Sequence, residues 1–319
     1  MWGFLRALRC RIAAILGFVN RVAGIGDVNT MLIEIQTGLK TTLRRLSVVS
    51  EHALTPEQVS TEPEFSLLAP GNGYLQRIDY AALKRAAVDS HTVITFLRRP
   101  GDFVLEGSVL ALGYLDGSQL SLVGSIELLH GAFAKGVVVG RKRSSHQDPE
   151  YAIAQILEIG LLAMSPAIND PLTTLHCIDA LTASLRDILQ ASLYNRVHRD
   201  DQGQARVFEK NTPPERILSL GFDPLRQATR NSVELTVRVL DAIASLAPFL
   251  NTPNQSLELR AQAELMITGA CTDAVLRDRS AIEAAYLRAR QALASPACRT
   301  KIDLSSATWQ QTGFSELPS

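Results

Sequence analysis

The stretch Glu158–Thr174 constrains the fold more than any other, because an apolar helical run stops there at a proline and a second run begins. Pro166 disfavours helical backbone at the residue before it, so the first helix is predicted to end at Ser165. Asp170 suits a helix N-cap, and Pro171 suits the first helical position, where its missing N–H has no intrahelical partner. The stretch therefore predicts a polar corner between two apolar helices.

Leucine and isoleucine recur at three- and four-residue spacing on both sides of this corner, as the buried face of a helix requires. The spacing predicts one helix over 150–164 and a second over 171–189. Both are apolar enough to lie in the interior of a helical domain.

The polar side chains of the corner have two interpretations. In one, they only satisfy the backbone groups of a helix–turn–helix connection. In the other, Ser165, Asn169, Asp170 and Thr173 converge at a helix N-terminus, where free N–H groups and the helix dipole favour an anion. The residue types leave both interpretations open.

Several segments together resemble an uncharacterised bacterial family of predicted membrane proteins, a family with a domain of unknown function. The signature is Ser165-Pro166-Ala167-Ile168-Asn169-Asp170-Pro171, and the other matching pieces are Gly73-Tyr74-Leu75-Gln76-Arg77-Ile78-Asp79, Pro100-Gly101-Asp102-Phe103-Val104, Gly140-Arg141, Gln147-Asp148-Pro149 and Arg226-Gln227. The resemblance covers roughly residues 73–250. It implies a membrane setting, and it brings no assigned activity.

The first 25 residues form a basic amphipathic pattern. Four arginines, Arg6, Arg9, Arg11 and Arg21, interrupt the apolar run, and each would cost about 2.5–3.5 kcal/mol at the middle of a bilayer. No acidic residue precedes Asp27, so residues 1–25 are expected to lie on an anionic membrane surface. The alternatives are a helix packed on the domain or, through the family resemblance, the remnant of a last spanning helix. The resemblance also implies several transmembrane helices before the resembling region, and most of that block is expected to be absent here.

Composition excludes several classes of function. The 32 basic and 32 acidic residues give a net charge of zero, which argues against a general nucleic-acid surface. The four cysteines are scattered without Cys-x-x-Cys spacing, as is typical of reduced thiols in a reducing compartment. No Gly-x-Gly-x-x-Gly, P-loop or Gly-x-Ser-x-Gly motif occurs, so no cofactor is expected.

The predicted fold class is α+β, mainly α, in about two domains. Residues 1–50 are assigned to N-terminal helices, 71–116 to a small β module, 117–296 to a helical domain that contains the corner, and 297–319 to a polar tail. Residues 50–70 are assigned to a linker because prolines and acids are frequent there.

Within these regions the sequence predicts further elements. Helix caps are expected at Asn29 or Thr30, and a turn at Asp200–Gln204. The remaining segments are assigned as a helix over 81–87, strands over 91–97 and 108–112, an undecided helix or strand over 117–140, a long helix over 223–250, and helices over 256–277 and 278–294. The segment Gly101–Gly107 is similar to the Gly-Asp-x-Val-x-x-Gly turn of lipoyl- and biotinyl-type barrel-sandwich modules, without their modified-lysine hairpin.

The candidate ligand-binding residues surround the corner and the basic loop Gly140–Asp148, which precedes the first of the corner's two helices. They are Arg141, Gln147, Asp148, Ser165, Asn169, Asp170, Thr173, Thr174 and Arg226. Several histidines and acids are present, but none has the spacing of a known metal motif, so no metal site is expected.

Taken together, these patterns predict a membrane-associated accessory or scaffold protein that binds a small anion or a lipid headgroup. Residues 1–25 contact the membrane, the bulk of the chain is cytoplasmic, and a second copy or another protein is a possible partner. The alternative is a soluble metal- or anion-dependent hydrolase that uses Glu158, Asn169, Asp170 and His176. A catalytic role is not favoured.

Overall fold

The computed structural model describes residues 27–47, 62–115, 122–191, 196–210, 212–270 and 275–294. The helices in these ranges are α1 (Val28–Ser47), α2 (Tyr80–Asp89), α3 (Leu122–Gly136), α4 (Pro149–Ala163), α5 (Pro171–Ala191), α6 (Pro214–Thr229), α7 (Val233–Leu246), α8 (Pro253–Ala270) and α9 (Leu276–Ala294). The strands are β1 (Phe65–Leu68), β2 (Gly73–Ile78), β3 (Thr92–Phe96), β4 (Phe103–Val104), β5 (Val109–Leu115), β6 (Val137–Gly140), β7 (Val197–Arg199) and β8 (Ala205–Phe208). The predicted class, α+β and mainly α, is confirmed.

The larger hydrophobic core lies inside a bundle formed by α1 and α4–α9. The helices α4 and α5, which flank the corner, pack against each other and both contact α1. Gly160 allows this close packing, because a Cβ on it would lie only 3.1 Å from the Cβ of Cys177. The two helices on either side of the corner are therefore central elements of the bundle.

The strands form two sheets, in the orders β1-β5-β3-β8-β7 and β4-β2-β6. All pairs are antiparallel except β3 and β8, which run parallel with Ile94 opposite Val207. The second hydrophobic core contains residues from both sheets and from α2 and α3. The strands thus extend beyond the predicted module 71–116, since β1, β6, β7 and β8 lie outside it. The division into domains itself stays a prediction.

Several predicted elements are confirmed. Helix α2 and strands β3 and β5 lie where the sequence predicts them, and the turn at Asp200–Gln204 joins β7 to β8. In the Gly101–Gly107 segment Val104 is buried, as expected, and Gly107 adopts a φ of +75°. The undecided stretch 117–140 contains α3 followed by β6. The wider similarity to a barrel-sandwich module stays a prediction.

Three local predictions are wrong. Helix α1 is capped by Asp27, which accepts hydrogen bonds from the backbone of Asn29 and the hydroxyl of Thr30, so these two residues are not the caps. Strand β1 lies in the predicted linker, because Leu67 is buried against the second core despite the polar residues around it. The predicted helix 223–250 is divided, since α6 ends before Ser232, whose hydroxyl caps α7.

Other predictions fall on parts of the chain that the structure does not describe. These are the basic amphipathic segment 1–25, most of the linker and the polar tail. Among the helices that are described, none is both long and apolar enough to cross a bilayer.

Candidate functional site

The β sheets and the helical bundle meet at Asp148, directly before α4. Its side chain is only 3% exposed, and Arg143 donates to one carboxylate oxygen from Nε at 2.8 Å and from Nη2 at 2.6 Å. The other carboxylate oxygen accepts from the backbone N–H of Tyr151 at 3.1 Å, so Asp148 is also the N-cap of α4. One buried carboxylate therefore starts a bundle helix and pairs with the basic loop.

A second ion pair lies beside the first. The guanidinium of Arg99 contacts both carboxylate oxygens of Glu150, at 3.0 and 3.2 Å, in the bidentate arrangement that holds arginine most firmly. Arg99 also pairs with Asp102, and the hydroxyl of Thr212 donates to Glu150. We call Arg99, Asp102, Arg143, Asp148 and Glu150 the ion-pair junction. It connects the loop after β3, the basic loop and the first turn of α4.

Hydrogen bonds between side-chain amides and backbone groups attach the basic loop to β2. The side-chain amide of Gln147 accepts from the N–H of Ile78 at 2.8 Å and donates to its carbonyl at 2.9 Å, as another strand would. Gln76 donates to the carbonyl of Lys142 at 2.7 Å. Both the oxygen and the nitrogen of the Gln147 amide are therefore bonded to the backbone of Ile78.

Gly101 lies against the ion-pair junction in a conformation that only glycine adopts readily. Its φ is +98°, and a Cβ at this position would collide with the carboxylate of Asp148. Its N–H donates to the carbonyl of Leu75 at 2.7 Å. The Pro-Gly-Asp segment thus approaches Asp148 closely because position 101 has no side chain.

Burial dominates the electrostatics of the ion-pair junction. Desolvation raises the pKa of Asp148, and the neighbouring Arg143 acts in the opposite direction. Desolvation also raises the pKa of Glu150, opposed by Arg99. The arginines therefore offset only part of the cost of burying these carboxylates. The crevice beside them holds about 30 Å³, which is space for a water molecule and not for a substrate.

The corner is closed by its own hydrogen bonds. Asp170 caps α5 as predicted, accepting from the N–H and the hydroxyl of Thr173 at 3.1 and 2.6 Å, and these bonds lower its pKa. The carbonyl of Ser165 accepts from the N–H of Asn169, which has a positive φ of 46°, and the hydroxyl of Thr174 donates to the Asp170 carbonyl. The N–H groups that would bind an anion are engaged internally, which favours the structural interpretation of the corner.

The outside of the corner is apolar. Leu162 is 59% exposed and Leu172 is 62% exposed, and Ile168 is exposed between them in the sequence. A groove of about 660 Å³ runs beside α4 toward α6 and is lined mainly by carbon, including Leu161, Leu162 and Leu220. We call Leu161, Leu162, Ile168, Leu172 and Leu220 the apolar corner surface.

The candidate residues from the sequence do not form one pocket. Asp148 belongs to the ion-pair junction, and Gln147 bonds the basic loop to β2. Ser165 instead lines the groove beside Arg143 and Glu158. Arg226 instead pairs with Asp223 at 3.2 Å on α6, and Arg141 is exposed. Within the described residues, no group of three or more histidine, cysteine, aspartate or glutamate side chains is arranged to hold a metal ion.

Sequence reasoning missed a second buried ionic cluster, on β7 and β8. Glu209 is 6% exposed and accepts from Arg196 at 2.8 Å, and its other carboxylate oxygen contacts His198. Tyr80 stacks on the ring of His198 with the centroids 5.0 Å apart. The sequence indicates this cluster only through the alternation of charged residues in the hairpin. The same alternation is expected of a strand that is exposed to solvent, so it does not predict burial.

Comparison with known proteins gives a family match and distant relatives. The family described as "Predicted membrane protein (DUF2254)" matches residues 4–245. Similar proteins include Uncharacterized protein Mb1321c of Mycobacterium bovis and Uncharacterized protein Rv1290c of Mycobacterium tuberculosis, each 26% identical over 298 residues, which cover 89% of this chain and 55% of theirs. The chain thus spans about half the length of these curated relatives. No solved structure matches it.

Proposed function

The chain belongs to this family of predicted membrane proteins, and from that membership we propose that it is a membrane-associated accessory protein that acts by binding. The observation that carries the proposal is the apolar corner surface, which exposes large aliphatic side chains at the point where two central bundle helices join. We assign the apolar part of a lipid bilayer as its occupant.

The charge pattern around the corner supports a bilayer over an acidic protein partner. Between Arg143 and Arg186 the sequence contains no lysine or arginine. The corner segment itself therefore offers no cation to an acidic partner, and Arg143, which lines the groove, is already paired with Asp148. Aliphatic side chains gain about 0.8 kcal/mol for each methylene that leaves water. Residues 1–25, with four arginines, would supply the attraction to anionic headgroups.

The ion-pair junction supports an accessory role. Its carboxylates and guanidiniums are paired with one another, and the crevice beside them is too small for a substrate. The proposed role of the junction is to fix the β sheets to the bundle. We place the bulk of the chain in the cytoplasm, which agrees with the free and buried thiol of Cys177. Self-association or binding of another protein stays a prediction.

Vesicle flotation of the full chain tests the apolar corner surface. The double substitution Leu162→Ser and Leu172→Ser removes two exposed leucines, and it is expected to weaken binding to vesicles by roughly tenfold or more. Leu287→Ser on α9 is the matched control, since Leu287 is 58% exposed and far along the chain from the corner. Equal flotation of the double variant and the control would refute the assigned surface.

Deletion of residues 1–25 tests the second contact separately. The deletion is expected to move the protein from the membrane fraction to the soluble fraction, because the attraction of its four arginines to anionic headgroups is lost. Unchanged partitioning would exclude a surface role for that segment. Protease treatment of intact spheroplasts tests the cytoplasmic placement, because a cytoplasmic chain is expected to be cleaved only after lysis.

A further inference from the structure

A cavity of about 340 Å³ lies where four separate parts of the chain meet, and it shares no lining residue with the groove at the corner. The end of α1 contributes Arg45, the end of β2 contributes Arg77, the basic loop contributes His146, and the β7–β8 hairpin contributes Arg196 and His198. We call these five residues the basic pocket.

The acids that line the same cavity are already engaged. Asp79 caps α2 through a hydrogen bond from the N–H of Ala82 at 2.9 Å. Glu209 is held by Arg196 and His198. With both carboxylates counted against three arginines, the lining carries a net positive charge before either histidine is protonated.

Two of the three guanidiniums have no acidic partner among the described residues. Arg77 is exposed, and its side chain makes no hydrogen bond or ion pair with any residue that the structure describes. Arg45 contacts only the ring of His146, at 3.2 Å from Nδ1, within the same described set. Guanidiniums that face one cavity repel each other, so an anion between them would lower the energy of the assembly.

Two residues that line the same cavity carry buried donors without a hydrogen-bond partner in the described chain. Tyr80 is 7% exposed, and its hydroxyl has no hydrogen-bond partner among the described residues. Burial, with a smaller contribution from Glu209, raises the pKa of Tyr80 well above its ordinary value, so the hydroxyl keeps its proton as a donor. The Nε of Arg196 is likewise buried and unpaired in this part of the chain. Buried polar groups without partners are uncommon in folded proteins, and an anion that accepts hydrogen bonds from these two donors would satisfy both.

We propose that the basic pocket binds a phosphate-class oxyanion, either free in solution or as the headgroup of an anionic lipid. Planar guanidiniums match the paired oxygens of a phosphate, and Arg45 and Arg77 supply two such forks from opposite parts of the chain. The tyrosine hydroxyl and the free Nε of Arg196 would add neutral and charged donors on the buried side. This assignment does not depend on the apolar corner surface.

Calorimetric titration of the full chain with inorganic phosphate tests the free anion, and flotation with phosphatidylcholine vesicles that contain phosphatidic acid tests the headgroup. Arg45→Gln with Arg77→Gln is expected to weaken whichever ligand binds by roughly tenfold or more. Tyr80→Phe is expected to weaken it severalfold without lowering the melting temperature, since the hydroxyl has no partner to lose. Arg216→Gln, an exposed arginine on α6, is the control and is expected to bind normally.

The outcomes separate the two sources and the proposal from its alternatives. Saturable heat with phosphate that the double variant loses supports the free anion. Vesicle binding that needs phosphatidic acid and is lost in the double variant, without heat from phosphate, supports the headgroup. Absence of both responses in the wild type, or equal binding by the wild type and the double variant, would overturn the proposal. Neither result depends on the leucines at the corner, so the proposal fails independently of the apolar corner surface.

Discussion

Substitution of Asp148 by alanine is expected to destabilise the protein by about 2–3 kcal/mol. Loss of the N-cap of α4 contributes about 1 kcal/mol. Removing one partner of a buried ion pair costs about 3–5 kcal/mol when the other charge stays buried. Arg143 is 26% exposed and can turn toward solvent, so we reduce that contribution to about 1–2 kcal/mol.

The raised pKa of Asp148 indicates how this destabilisation divides between the ion pair, the unpaired arginine and the cap. Since burial outweighs the pairing with Arg143, the ion pair itself adds little net stability, and most of the cost comes from the stranded arginine and the lost cap. Arg143→Ala introduced into the Asp148→Ala background is therefore expected to cost almost nothing further. Asp148→Asn keeps a capping oxygen and is expected to fall between the wild type and the alanine variant.

Urea unfolding followed by circular dichroism measures these differences as a double-mutant cycle. A coupling energy of about 1–2 kcal/mol between positions 143 and 148 is expected. Two findings would refute the reasoning: an unfolding free energy of Asp148→Ala within about 0.5 kcal/mol of the wild type, or additive effects of the two substitutions.

Three further predictions concern the same region and its neighbours. Backbone strain from a side chain at positive φ costs about 1–3 kcal/mol, and Gly107→Ala is expected to destabilise the protein by this strain alone, because nothing lies near the added Cβ. Gly101→Ala is expected to destabilise it more, because its Cβ would also collide with Asp148. Equal melting temperatures of the two variants would reject this contact. Asp170→Ala is expected to lower the melting temperature through the lost cap of α5, whereas Asp170→Asn retains most of it, and an unchanged melting curve would reject the cap. Because burial raises the pKa of Asp148 and Glu150, these two groups are expected to add to the unfolding free energy as the pH falls from neutral toward their ordinary values of 3.8 and 4.5. Asp170 and Asp200, whose pKa values are lowered, act in the opposite direction. The difference in unfolding free energy between the wild type and Asp148→Asn is therefore expected to grow in favour of the wild type as the pH falls, and parallel pH curves would contradict this.

The parts of the fold that the sequence predicts well depend on signals within a few residues. Pro166 and Asp170 mark the end of one helix and the start of the next, and both effects act on adjacent backbone. The break between α6 and α7 is not predicted, because the local signal there is weak. Apolar spacing continues across it, and the local signs, Asn231 and Ser232, are residue types that also occur on the exposed face of a helix.

The parts that sequence reasoning could not find depend on distant contacts. Arg99 and Glu150 are paired across 51 positions, and strand β8 joins β3 in parallel from beyond two helices of the bundle. Nothing in the residue type of Arg99 distinguishes a buried arginine from an exposed one. The basic pocket is an extreme case, since its members come from four segments that meet only in the folded chain.

The most direct test of membrane contact places a single tryptophan at the corner. Ile168→Trp, in a background with Trp2→Phe and Trp309→Phe, is measured with vesicles that contain brominated phospholipid. Strong quenching at residue 168, and none for Gln202→Trp in the exposed turn between β7 and β8, is the result expected if the apolar corner surface enters the bilayer. Bound protein whose residue 168 stays unquenched would contradict that assignment.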